Sequence, residues 1–177
     1  MLNNKIDFFA GGPGSAGTAL FWPATFVSLP MLRFVVKPFH ELSIEELYTM
    51  LQLRTKVFVV EQNCVFQDMD DKDRKGIHVL GYHGDDLVAY SRLLPAGVSY
   101  AEMSIGRVLT DTGRRKEGFG VDLMKRSIGA LYENYGKAPI RIGAQLYLKK
   151  FYEDFGFIQN SDTYLEDGIP HIEMILE

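Results

Sequence analysis

The stretch Arg114-Arg115-Lys116-Glu117-Gly118-Phe119-Gly120 brings three cations and two glycines together between an apolar run and a helical pattern. Glycines at 118 and 120 let backbone N–H groups come close to an anion, and a helix opening there presents unpaired donors and the positive end of its dipole. Arg114, Arg115 and Lys116 add full positive charges that pair with phosphate oxygens. Such a turn can hold a diphosphate. Taken alone it is equally a structural strand-to-helix turn, and it is neither a GxxxxGK[ST] loop nor a full GxGxxG fingerprint.

A local cluster of this kind is what the rest of the composition calls for. The formal net charge of -4 over 177 residues gives no field that would draw in nucleic acid or an anionic membrane, so neither is expected as a partner. The length fits one domain, and 46% apolar with 24% charged residues is the balance of a soluble globular chain. A lone Cys64 excludes an internal disulfide framework and the two-cysteine zinc patterns, which agrees with a cytoplasmic location. His40, His78, His83 and His171 show no HExxH or other close ligand spacing, so no metal is expected.

The elements that must position the turn follow from periodicity. Residues 1–30 differ from the remainder, with Gly11, Gly12, Gly14 and Gly17 clustered and an apolar run from Ala19 to Leu29 that is short and interrupted by Pro23; they read as an N-terminal extension, with the domain starting at Met31. LRFVVKPF (32–39) reads as a strand. Ser43 and Glu46 form a capping box that opens a helix to about Phe58, with Ile44, Leu47, Leu51 and Phe58 as its buried stripe and Arg54 interrupting that stripe. A hairpin joins 78–83 to 87–94 through Gly84-Asp85-Asp86, and a strand over 102–110 leads into the Gly/Arg turn. Val121, Met124, Ile128, Leu131 and Tyr135 repeat at helical spacing up to Gly136, a natural C-cap. A strand (139–144), a short helix (about 148–155) and two strands divided by Asp167-Gly168-Ile169-Pro170 close the chain. This order gives an α/β (α+β) sandwich of helices on a mixed sheet.

Two further features have open readings. Arg54 on an apolar stripe either pairs structurally or lines a substrate cleft. Asp68, Asp70, Asp71 and Asp73 form either a solvated loop or an attractor for a cationic amine, and they do not fit an EF-hand, because Asp73 stands where glycine is required and Val79 where the bidentate glutamate belongs.

Arg115-x-x-Gly118-x-Gly120 between strand and helix resembles the R/Q-x-x-G-x-G/A signature of the GNAT N-acetyltransferase superfamily. Ala144-Gln145, Phe151-Tyr152 and Phe155-Gly156-Phe157 resemble that family's second segment. The likeness extends to the ElaA-like members through LQLRTKVFVVEQNC (51–64), QDMD (67–70), IGRV (105–108) and EDGIPHI (166–172), covering nearly all of 31–177.

The resemblance implies a mostly antiparallel twisted sheet flanked by helices, and direct acetyl transfer from acetyl-CoA to a small or peptidyl amine without a covalent enzyme intermediate. It implies that Val108, Leu109 and Thr110 hold the pantetheine arm and polarise the acetyl carbonyl through backbone groups. Arg115, Lys116, Glu117, Gly118, Phe119 and Gly120 would take the pyrophosphate, Gln145 stands where many relatives carry asparagine, and Tyr152 would protonate the leaving thiolate. A base is also needed, with Glu102, Glu61 and His171 as candidates, and Arg54, Glu61 and His171 as residues facing the acceptor. Cys64 has no activating histidine beside it in sequence. The alternatives are a non-catalytic acyl-CoA-binding module and a transferase of longer acyl chains, as in the acyl-homoserine lactone synthases; a homodimer is left open.

Overall fold

The computed structural model describes residues 32–177; the extension expected over 1–30 lies outside the described residues. Eight strands and three helices alternate as β1 (Arg33–Pro38), α1 (Ile44–Arg54), β2 (Ile77–His83), β3 (Asp86–Leu94), β4 (Met103–Thr110), α2 (Phe119–Tyr135), β5 (Ile140–Gln145), α3 (Lys149–Glu153), β6 (Ile158–Gln159), β7 (Tyr164–Glu166) and β8 (Ile169–Leu176). They form one sheet in the order β1-β2-β3-β4-β5-β8-β6, with β7 also on β8. Every pairing is antiparallel except that of β4 with β5.

Local chemistry fixes the boundaries. At the start of α1 the Glu46 N–H donates to Ser43 Oγ while the Ser43 N–H donates to the Glu46 carboxylate, the reciprocal capping box expected from the sequence. The helix does not stop at Arg54 but loosens into a π-helical stretch over Thr55–Glu61, a form that recurs at functional sites. The β2–β3 hairpin turns on Gly84 and Asp85, with Gly84 at φ +62°.

Alternation along the strands sends side chains to two faces. On one face Val79, Ala89, Leu93, Met103 and Ile105 pack against Leu123, Met124, Ala130 and Leu131 of α2, continuing through Ile140, Ile142, Ala144, Ile172 and Met174. On the other, Leu80, Tyr90 and Leu109 meet Met50, Leu53 and Val57 of α1 and its extension. Full burial of a leucine such as Leu123 or Leu131 contributes about 1.5–3 kcal/mol. The stripe expected on α1 is shifted: Ile44 is exposed, whereas Met50, Leu53 and Arg54 are buried. On α2, Met124 and Leu131 are buried as expected, but Val121 and Tyr135 are largely exposed and Leu123, Ser127 and Ala130 complete the buried face.

The β4–β5 pairing positions everything that follows. It consists of Met103 with Ile140 and Ser104 with Arg141, and ends there. Beyond Ser104 the two parallel strands part, so that β4 from Ile105 to Thr110 keeps β3 on one edge and, among the described residues, has no strand on the other. Glu102 fastens the closed end, its two oxygens 2.6 and 2.8 Å from Arg141 Nη2 and Nε. Arg141 Nη1 also reaches Glu173 of β8 at 2.9 Å.

Candidate functional site

A cavity of about 670 Å³ fills the parting of β4 and β5. Ile105, Gly106, Arg107, Val108, Leu109 and Thr110 line it from β4, Gly143 and Gln145 from β5, and Leu148, Phe151 and Tyr152 from the α3 region. A smaller recess of about 230 Å³, formed by Arg114, Arg115, Lys116, Gly118, Phe119 and Val121, shares Thr110, Arg115, Gly120 and Phe151 with it, so the two spaces adjoin at the start of α2.

The recess has the features expected of an anion cradle. Gly118 caps α2 at φ +85° and Lys116 sits at φ +74°, left-handed conformations that bend the chain back over the helix end. The Val121 and Asp122 amides bond to the Gly118 carbonyl, so the amides of Phe119 and Gly120 precede the first intrahelical donor and are free to face an anion. A Cβ at Gly120 would meet nothing closer than Phe151 at 3.7 Å. Glycine there therefore leaves open the space of the recess, whereas glycine at 118 satisfies the backbone. Arg115 and Lys116 are exposed at the rim, Glu117 faces Arg114 at 3.8 Å outside both spaces, and Phe119 is buried beneath, its ring 5.6 Å from that of His83.

At the heart of the cavity Tyr152 is held by edge contacts to Phe151 and Phe157, at 5.1 and 6.1 Å between ring centres. Burial, with Tyr147 nearby, raises its phenol pKa, so the hydroxyl stays protonated at neutral pH and can donate. His171 of β8 stands opposite Gln145 of β5 and opposite Tyr164 of β7. Its Nδ1 lies 2.8 Å from the Ile169 carbonyl, which can only accept, so the proton resides on Nδ1 and the Nε2 lone pair is available. Tyr100, Glu166 and Asp167 line the same end. The hydroxyls of Tyr100 and Tyr164 converge above Gly143, lying 3.0 and 3.4 Å from where its Cβ would be. Burial and the neighbouring Tyr164, Glu173 and Glu166 push the Tyr100 phenol up to about 12.

Four expectations are corrected. Arg54 lines no cleft: it is fully buried, with Nε 2.7 Å from Asp68 Oδ2 and Nη1 2.7 Å from Asp73 Oδ1. Asp68, Asp70 and Asp73 are accordingly neither a solvated loop nor a free amine attractor, because they pair with Arg54, Arg92 and Arg107 in a charge-balanced cluster, of which Asp70, Arg92 and Arg107 reach the cavity wall. Removing one partner from such a cluster costs about 3–5 kcal/mol. Glu102 is not among the residues around the cavity, and its carboxyl is held down at about 2 by the Arg141 hydrogen bonds, far from the range of a base at neutral pH. Glu61 is displaced too: it ion-pairs with Arg115 at 2.6 Å, beside the loop before α2, and is not among the residues that line the cavity with His171.

One irregularity of β4 was absent from the sequence reading. Tyr90 pairs with Leu109 and Arg92 with Gly106, so one residue of β3, Ser91, opposes two of β4, Arg107 and Val108, which have no register partner. This is a β-bulge at the cavity wall, and Arg107 within it adopts φ +52°. A bulge re-aims the backbone groups that follow it. Gly106 stands immediately before it, but nothing in the sequence marks Arg107, the residue that takes the left-handed conformation.

The chain matches the model of the acetyltransferase (GNAT) domain over residues 43–177. It belongs to the GNAT acetyltransferase family. Among GNAT relatives it is 45% identical over 139 residues to protein ElaA of Escherichia coli K12, covering 77% of this chain and 91% of ElaA. The crystal structure of Escherichia coli ElaA superposes with a TM-score of 0.78 at 41% identity, covering 83% of this chain and all of that one. An acyl-CoA N-acyltransferase from Pseudomonas aeruginosa superposes with a TM-score of 0.77 at 38% identity, covering 81% and 98%. The mixed, mostly antiparallel GNAT sheet expected from the sequence is thus the architecture present. Among the described residues no cluster of histidine, cysteine, aspartate or glutamate could hold a metal, and no helix is long and apolar enough to cross a membrane.

Proposed function

We propose that this GNAT chain is an N-acetyltransferase that moves an acetyl group from acetyl-CoA directly to an amine. The observation that carries this reading is that the α2 recess adjoins the β4–β5 cavity, which sets an anion cradle beside a chamber holding a buried phenol and an imidazole with a free lone pair. The recess fits a diphosphate, since Gly120 leaves the space a side chain would fill. Bound there, acetyl-CoA would supply an activated thioester.

The chain's own groups account for the rest. Arg115, Lys116 and the first amides of α2 anchor the pyrophosphate. The backbone of Val108, Leu109 and Thr110, on the unpaired edge of β4, donates to the thioester carbonyl as negative charge develops on its oxygen. Gln145 offers an amide at the wall opposite. His171 Nε2 accepts the proton that an ammonium must lose before it can attack, and Tyr152 gives its proton to the sulfur as the C–S bond breaks. Glu166 and Asp167 at the acceptor end favour a cationic amine. The reading places the protein in the cytoplasm, with no call for nucleic acid or membrane as a partner.

Incubation of the protein with acetyl-CoA and a panel of small amines and peptides, followed by thiol release and mass spectrometry, tests this directly. Acetylated amine is the expected product. Binding of acetyl-CoA without any product would make the chain a sensing module instead, and product only from longer acyl donors would reassign the donor.

A further inference from the structure

We propose that Asp68 is a positioning residue: its buried carboxylate pins Arg107 in the left-handed conformation that creates the β4 bulge, and so sets the aim of the backbone donors facing the thioester carbonyl. This rests on the acyl-transfer reading above.

Arg107 is the central observation. A residue with a Cβ resists φ +52°, especially within a strand, and persists there only where its surroundings over-determine it. The surroundings here do so from several directions. Arg107 Nε donates to Asp68 Oδ1 at 2.6 Å and Nη2 to the Asp68 carbonyl at 3.3 Å, while Nη2 lies 3.6 Å from Asp70 Oδ2. Its guanidinium sits over Phe58 and Phe66, at 5.8 and 5.9 Å from their ring centres.

Asp68 is itself immobilised. It is 4% exposed, and its second oxygen and its carbonyl accept from Arg54 Nε at 2.7 Å and Nη2 at 3.0 Å. Arg54, at the end of α1, is tied through Asp73 to Arg92, and Arg92 is the β3 residue paired with Gly106 immediately before the bulge. The bulge is therefore gripped on both sides by one cluster anchored in α1 and β3. Because successive strand amides point to opposite edges, one inserted residue reverses which amides of β4 face the unpaired edge. Loss of the grip would let β4 relax toward regular pairing and turn those donors away.

Isotope-edited infrared spectroscopy of bound acetyl-CoA carrying a ¹³C thioester carbonyl reads this without any acceptor, because donors aimed at the carbonyl lower its stretching frequency. The wild-type protein is expected to lower it, and Asp68→Asn to lose at least half of that lowering while its acetyl-CoA affinity changes by less than about threefold. A second pair covers failure of Asp68→Asn to fold: Arg107→Gly, which adopts φ +52° without an anchor, should keep most of the lowering, and Arg107→Ala should lose it. An unaltered frequency in Asp68→Asn, or equal behaviour of the glycine and alanine variants, overturns the positioning role and leaves the acyl-transfer reading intact. Failure of the wild-type protein to bind acetyl-CoA overturns the reading itself, and the positioning role with it.

Discussion

Arg115 Nη1 lies 2.6 Å from Glu61 Oε1, joining the loop before α2 to the end of the π-helical stretch that follows α1. Thr112 Oγ1 donates to the other oxygen of the same carboxylate at 3.2 Å. Both partners are partly exposed, so the pair is a weak, screened one, and any anion entering the recess competes with Glu61 for Arg115. Glu61→Gln should accordingly raise CoA affinity by about 2- to 5-fold at low ionic strength, with the gain fading as salt is added. Calorimetry at two salt concentrations measures it; an affinity unchanged at low salt would separate Arg115 from the anion.

Gly120→Asp places a carboxylate where the recess opens. The nearest side chains, Phe151 and Thr110, lie at ordinary contact distances from the new Cβ, so the variant should fold, with a melting temperature close to that of the parent. Its acetyl-CoA affinity should collapse, because the added group fills the cradle and repels phosphate. A well-folded variant with parental affinity would remove α2 from cofactor binding.

Tyr152→Phe deletes one hydroxyl and keeps the ring that packs on Phe151 and Phe157. Loss of the proton donor should lower kcat by roughly 10- to 10⁴-fold with little change in acetyl-CoA affinity. The deficit should narrow with an acetyl donor whose thiol is more acidic. Equal deficits with both donors would indicate a misplaced thioester instead.

Acid should weaken the fold in two windows. His78 is buried, its Nε2–H donating to the Asp73 carbonyl at 3.0 Å and its Nδ1 accepting from the Tyr90 hydroxyl at 2.8 Å. Burial, together with Arg54 and Arg92, depresses its pKa below 6.5 against the opposing pull of Asp73. The unfolded chain therefore takes up a proton at a pH where the folded chain does not, and stability complete above pH about 6.5 declines as pH falls through the folded value. Asp73 and Asp70 act lower down: burial opposes their ionisation, but Arg54 and Arg92 outweigh it at Asp73, and Arg92 and Arg107 at Asp70, which is left at about 2. Their contribution is complete above about pH 4 and is lost as pH falls below it, for Asp70 through about 2. Melting temperatures from pH 8 to 3 should show both declines, and His78→Asn should erase the upper one.

A chain beginning at Met31 should fold and bind acetyl-CoA like the full-length protein, since the sheet and both cavities are built from residues 32–177. Insolubility of the shortened chain, or loss of its cofactor affinity, would give the first thirty residues a role in the domain.

What was legible in the sequence was local. Ser43 and Glu46 announce their helix because the capping box lies within one turn, and Gly84-Asp85 announces the hairpin because a two-residue turn demands left-handed backbone. Gly118 marks the cradle for the same reason, and Gly120 marks it by leaving its space open. The fate of Arg54 was not legible, because its partners lie 14 and 19 residues away and reach it only once α1 has docked on the sheet. Glu102 reads as a free carboxylate until Arg141, 39 residues on, is seen to be its partner. The two-residue β6 is too short for any alternation, and a bulge built on an arginine carries none of the glycine signal that usually betrays left-handed backbone.

The parting of β4 from β5 gives one continuous sheet four borders instead of two. Outer borders of a sheet are open to pairing with another chain, and proteins blunt them with charge, proline or short strands. The inner pair needs no such defence, because an approaching strand would have to enter a narrow cleft closed at one end by Met103, Ile140 and the Glu102–Arg141 tie. An extended ligand thin enough to slide in meets a ready row of backbone donors and acceptors, so entry is decided by the girth and length of the guest before any side chain reads its chemistry.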